Sequence, residues 1–197
     1  MRWLDHRDPV PDALRGAIIA LGNFDGFHRG HQAVAGEAIR WAQAEGRPSI
    51  IATFDPHPVR FFAPDAAPFR LTTLDQRQEL FAAAGADAML VFAFDAELAA
   101  TTADSFVRDL LVGRLGAAGV VTGTDFTFGK ARGGNITVLA ELGSTCGLAT
   151  RAVQCFSGAG LSDGVEQLFG MGADTLGQAD LRDAHGCTPW CRGVRVK

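Results

Sequence analysis

Leu21-Gly22-Asn23-Phe24-Asp25-Gly26-Phe27-His28-Arg29-Gly30-His31 links an apolar run, Ala17-Ile18-Ile19-Ala20, to a stretch with helical spacing. The run reads as a buried strand. Residues 31–45 read as a helix with Val34, Ala38, Ile39 and Ala42 as its apolar stripe, ended by Gly46. A strand, a Gly-rich turn and a helix form the opening unit of a doubly wound sheet, and such sheets usually take a nucleotide at that turn. His28 and His31 are three apart and share one side of the helix start. The helix N-terminus adds free N–H groups and positive dipole density. No Cys or third His stands nearby to complete a metal site, so phosphate is the better ligand. A His pair at this spacing also occurs as capping or surface residues. Its place in the first strand-to-helix turn favours the functional reading.

The same alternation continues. Residues 49–54, 88–92, 119–122 and 148–153 read as further strands. Residues 74–84 read as a helix with Asp75 as N-cap and Gly85 at its end. Residues 103–115 are amphipathic, with Phe106, Leu110 and Leu111 on one face, and 137–142 give a last helix. About five apolar strands alternating with helices predict an α/β, Rossmann-like, doubly wound parallel sheet covered on both faces. One domain over 1–155 accounts for this pattern. Beyond it the strand and helix punctuation is lost, and 156–197 reads as a divergent tail.

Composition bounds the function. With 197 residues, 47% of them hydrophobic, the chain suffices for one full α/β core. A net charge of −4 argues against a general nucleic-acid binder, which needs clustered Lys and Arg. Local positive groups, such as His28, Arg29 and His31, would still serve a nucleotide. No apolar run is long enough to span a bilayer, and Met1–His6 carries no signal-peptide pattern, so a cytoplasmic enzyme is expected. Cys146, Cys155, Cys187 and Cys191 form no C-x-x-C pair. His185, Cys187 and Cys191 make a partial zinc pattern without a clear fourth ligand, and reduced thiols are the simpler reading.

Two more loops leave strand ends. Thr53-Phe54-Asp55-Pro56-His57-Pro58-Val59-Arg60-Phe61-Phe62 is stiffened by its prolines, and its phenylalanines offer flat apolar area to an aromatic ligand. Taken singly, each Phe reads as core and His57 as a loop residue. Gly123-Thr124-Asp125-Phe126-Thr127-Phe128-Gly129-Lys130-Ala131-Arg132-Gly133-Gly134-Asn135 combines glycines for close approach, two aromatics and two cations. Asp125 is a candidate to hold a ring N–H or sugar hydroxyl. A solvated glycine-rich β-α loop is the plainer reading. Leu71-Thr72-Thr73 reads as a cap before its helix. Three such loops at carboxyl ends of strands point together to a ligand site.

On these residues the chain resembles the N-terminal FMN adenylyltransferase module of the prokaryotic bifunctional riboflavin kinase/FAD synthetases. The matching segments are GNFDGFHRGHQ (22–32), TFDPHPVRFF (53–62), LTTLDQRQEL (71–80), DSFVRDLLVGRLGA (104–117) and GTDFTFGKARGGN (123–135), within about residues 14–153. The resemblance implies a sheet of the nucleotidylyltransferase type and small-molecule substrates, ATP and FMN, giving FAD and pyrophosphate with Mg²⁺. It implies that His28 and His31 contact the ATP phosphates and carry the catalysis. Asn23, Phe24 and Asp25 would shape the nucleotide end of the turn, with Gly22, Gly26 and Gly30 allowing close approach. Phe54, Asp55, His57, Phe62, Asp125, Phe126, Phe128 and Arg132 are the flavin-side candidates. No metal ligand is assigned.

The family's Ser-Ser-[Ser/Thr]-x-Ile-Arg segment is not found after Val153, and riboflavin phosphorylation is not expected from this chain. Val165-Glu166-Gln167-Leu168, back-translated and read one base later, can spell a run of serines. The expectation is a tail that is frameshifted or disordered from about residue 155. Two alternatives stay open: a non-catalytic flavin- or nucleotide-binding protein, and a nucleotidylyltransferase with another phosphate acceptor. Oligomeric state is left open.

Overall fold

The structure, a computed structural model, describes residues 1–63, 65 and 70–154. All belong to the compact unit Met1–Cys155. The tail expectations and the His185, Cys187 and Cys191 pattern lie outside the described residues.

Six parallel strands form one sheet: β1 (Arg2–Asp5), β2 (Ile18–Leu21), β3 (Ser49–Asp55), β4 (Ala88–Ala93), β5 (Gly119–Gly123) and β6 (Ala149–Val153). Their order is β1-β4-β3-β2-β5-β6. Five strands were expected, and β1 is the addition. Its four residues are too short and too polar to show a period, and it forms by pairing Arg2–Asp5 along the edge of β4. All four residues of β2 are buried, as sheet layers covered on both faces require. Ile18, Ala20, Ile51 and Val121 pack with the helix α1 (Arg29–Glu45) and with Phe81 of α3 (Leu74–Ala83). Ile19, Leu21, Ile50 and Val120 pack on the other face with Phe106, Leu110, Leu111 and Leu139.

The chain runs outward from β2 through β3 to β4, then returns to place β5 on the other side of β2. The crevice beyond the carboxyl ends of β2 and β5 is therefore the topological switch point.

Three local expectations change. The N-cap of α3 is Thr73, not Asp75: Thr73 and Gln76 exchange side-chain-to-backbone hydrogen bonds as a capping box. The amphipathic stretch 103–115 begins as α5 (Ala103–Ser105) but continues as a π-helix over Phe106–Arg114, closing with Leu115 N–H donating to Leu110 O at 2.9 Å. Helix α6 spans Ile136–Cys146, longer than 137–142, because the Asn135 side chain caps Thr137 and Val138 and Gly147 ends it at φ 75°. Two short helices, α2 (Pro58–Phe62) and α4 (Ala96–Ala100), follow β3 and β4.

Candidate active site

The turn after β2 is held in an uncommon shape. Phe24 and Phe27 have φ of 49° and 37°, a region that side-chain-bearing residues rarely occupy. Their rings are buried and meet each other and Phe81 edge to face, which offsets the strain. Gly26 has φ 75°, and a Cβ there would sit 2.8 Å from Leu71 Cδ1. Glycine is therefore required both by conformation and by space.

His28 is the N-cap of α1, its Nδ1 accepting from the backbone N–H of His31 at 3.4 Å. That bond assigns the ring proton of a neutral His28 to Nε2. The two imidazoles stack with centroids 3.7 Å apart and planes at 20°. Burial, helped by the charge His28 would carry, pushes the His31 pKa down to about 3. Burial also lowers that of His28, against the opposing field of Asp125. Both rings are thus neutral near pH 7, and the expected local positive charge at His28 and His31 is corrected. Stacked, partly desolvated imidazoles cannot readily share two charges. They act as neutral hydrogen-bonding groups, and Arg29 is the cation of this turn.

Among the described residues, Asn23 Oδ1, His31 Nδ1 and Thr122 Oγ1 are buried without a hydrogen-bond partner. These atoms belong to the turn after β2, the first turn of α1 and the end of β5. An unpaired buried polar atom costs about 1–3 kcal/mol, so such atoms call for an explanation such as water or a ligand.

Asp25 faces protein. Its carboxylate accepts from Leu71 N and Thr72 N at 3.1 and 2.9 Å and from Thr72 Oγ1 at 2.9 Å, and pairs with Arg77 Nη2 at 3.0 Å. Burial opposes its ionisation, but these hydrogen bonds and the guanidinium outweigh it and lower its pKa. Asp25 therefore shapes the turn by binding Leu71-Thr72, and Leu71-Thr72-Thr73 does more than cap a helix. Arg77, 2% exposed, also reaches Thr53, Phe54 and Asn23. Sequence reading did not single it out, because one Arg inside a helix carries no spacing signal.

The flavin-side candidates divide. Phe54 is buried and stacked on Phe92, and Phe128 is buried against Phe106 and Phe126. Both belong to the core on one face of the sheet, and Phe24, in the turn after β2, belongs to the core on the other. Phe62 is 68% exposed and meets Phe61 and Phe94 edge to face. Phe94, just past β4, completes a triad that the sequence reading missed. Asp55 pairs with Arg70 at 2.6 Å. His57 caps α2 through Nδ1, and burial lowers its pKa. Phe126 is half-buried, while Asp125 and Arg132 are exposed. Gly22 donates to Ala52 O at 3.2 Å, and Gly30 lies in the first turn of α1. Among the described residues no three His, Cys, Asp or Glu side chains gather as a metal cage.

The fold and this turn define the chain as a Rossmann-like α/β protein with a helix N-terminus and two neutral imidazoles at its switch point. A solved macrolide-efflux protein from Streptococcus pneumoniae shares the fold, at TM-score 0.65 and 21% identity over 78% of this chain and 52% of that one. Residues 10–162 match the FAD synthetase family, and the chain belongs to it. It is 38% identical over 150 residues to the bifunctional riboflavin kinase/FMN adenylyltransferase of Escherichia coli K12, covering 74% of this chain and 47% of that protein. The protein of the same name from Pseudomonas fluorescens is 38% identical over 140 residues, covering 71% and 45%. The chain thus spans about half the length of these curated relatives.

Proposed function

We propose that this chain transfers the adenylyl group of ATP to the phosphate of FMN, giving FAD and pyrophosphate. The observation that carries the reading is the stacked His28–His31 pair at the start of α1 in a chain of the FAD synthetase family. An FMN phosphate oxygen attacks the α-phosphorus of ATP in line, and the bond to pyrophosphate breaks. The attacking group is already anionic, so no protein nucleophile is needed, and catalysis rests on positioning and charge stabilisation. With its Nδ1 occupied, His28 would offer Nε2–H to the phosphates, with His31 stacked beside it, while the α1 N-terminus would add its dipole. Asn23 and the glycines 22, 26 and 30 let the nucleotide approach the backbone. On the flavin side we assign Phe62 with its ring partners Phe61 and Phe94, together with Asp55, His57, Asp125, Phe126 and Arg132. Phe54 and Phe128 support that side from the core. A Mg²⁺ ion accompanying the triphosphate would be held mainly by phosphate and water and would supply charge neutralisation there. Substrates of this kind suit a cytoplasmic enzyme, and no described helix is long and apolar enough to cross a membrane.

The test is FAD formation from FMN and Mg²⁺–ATP, separated chromatographically, with His28→Ala as control. Turnover by the unaltered chain, lowered by about 10²–10³ in the variant, is expected. FMN binding without turnover would select a binding role, and no binding of either substrate would reject both readings.

A further inference from the structure

Arg77 is a full charge in the interior of the compact unit, and its partners among the described residues belong to segments flanking the candidate site. Its Nε donates to Thr72 Oγ1 at 3.2 Å. Its Nη1 donates to Thr53 Oγ1 at 2.9 Å and lies 3.3 and 3.4 Å from the carbonyls of Asn23 and Phe54. Its Nη2 pairs with Asp25 at 3.0 Å. Thr53 in turn donates to Asn23 O at 2.5 Å. Thr72 Oγ1 also accepts from Gly26 N–H at 3.0 Å.

We propose that Arg77 is a positioning residue for the transfer reaction: it joins the nucleotide turn (22–31), the end of β3 that begins the flavin-side loop (53–57) and segment 70–73 into one rigid unit. The inference rests on the adenylyl-transfer reading above. Desolvating a guanidinium costs several kcal/mol, and an apolar residue of similar volume often serves stability as well or better. Phe81, one turn further along α3, does that apolar packing already. What an apolar side chain cannot do is hold two carbonyls, two hydroxyls and a carboxylate at fixed distances. The planar fork of Arg can, because its donors keep a fixed geometry.

The arrangement also fixes the peptide after Asn23, whose carbonyl takes two donors while the next residue, Phe24, sits at φ 49°. The fields of Asp25 and Arg77 both reach His31 on one loop and His57 on the other. Both loops are thus referenced to the same buried ion pair. In an in-line transfer, the separation of the two substrates is what such a junction controls, and misplacement by about 1 Å can cost about 10²-fold.

The experiment uses the full chain and its Thr53→Val and Arg77→Lys variants, with melting curves and near-UV circular dichroism to establish folding. Thr53→Val keeps the shape and charge of the junction and removes only one hydroxyl, so it decides the matter where Arg77→Lys does not fold. Expected is a fall in kcat of about tenfold to 10²-fold per folded molecule, with KM for ATP and FMN changed much less. The His31 ring resonances should also shift in Arg77→Lys. A purely stabilising role would lower the melting temperature and leave kcat of the folded fraction intact, and kcat within about twofold of the unaltered chain in folded Thr53→Val would overturn the inference alone. Absence of FAD formation by the unaltered chain would overturn the adenylyl-transfer reading and this inference with it.

Discussion

At the scale of single residues, the two histidines were legible and their charge state was not. His28 and His31 stand out because three residues on a helix start bring two rings to one side, which spacing alone predicts. Their neutrality comes from burial and mutual stacking, which depend on Phe24 and on the elements around α1. A pH dependence follows. Unfolded, His31 titrates near 6.5; folded, its pKa is about 3. Between these values the unfolded chain binds a proton that the folded chain does not. The His31 contribution to stability is therefore full above about pH 6.5 and is lost as pH falls toward 3. From about pH 7 to about pH 5 the loss is on the order of 2 kcal/mol. Urea unfolding at the two pH values should show it, and His31→Gln should flatten that difference. An unchanged difference in the variant would place the titration elsewhere.

Elements were read well in type and less well at their ends. The five strands 17–21, 49–54, 88–92, 119–122 and 148–153 correspond to β2 through β6, because continuous apolar runs mark strands covered on both faces. The cap of α3 was misplaced, although Thr73-x-x-Gln76 carries the spacing of a capping box. Thr73→Ala should destabilise the protein by about 1 kcal/mol, while Asp75→Ala should leave it near neutral. Equal losses in thermal or urea unfolding would contradict the assignment. The π-helix at Phe106–Arg114 was not legible, since Phe106, Leu110 and Leu111 are buried on the same face in either helical form. Backbone hydrogen bonding selects between the two forms, and side-chain pattern does not report it.

For the whole molecule, burial grades from the centre of the sheet to its edges. All of β2 is buried, whereas no residue of the edge strand β6 is fully buried. Amide hydrogen exchange should accordingly be slowest in β2 and β3 and faster in β6 by about 10²-fold or more, since protection follows local opening. Equal protection across the sheet would contradict this gradient. The sequence by itself determined the parallel α/β plan and the place of the Gly-rich turn between β2 and α1. Both rest on local signals: apolar runs, helix spacing, and glycines at turns. The tertiary structure alone decided which candidate side chains are buried and which stay exposed. It turned Phe24, Phe54 and Phe128 into core, committed Asp25 to a segment 46 residues away, and placed Arg77 at the junction of three segments. Burial and ion pairing arise from residues remote along the chain, and no local pattern encodes which remote residues will meet.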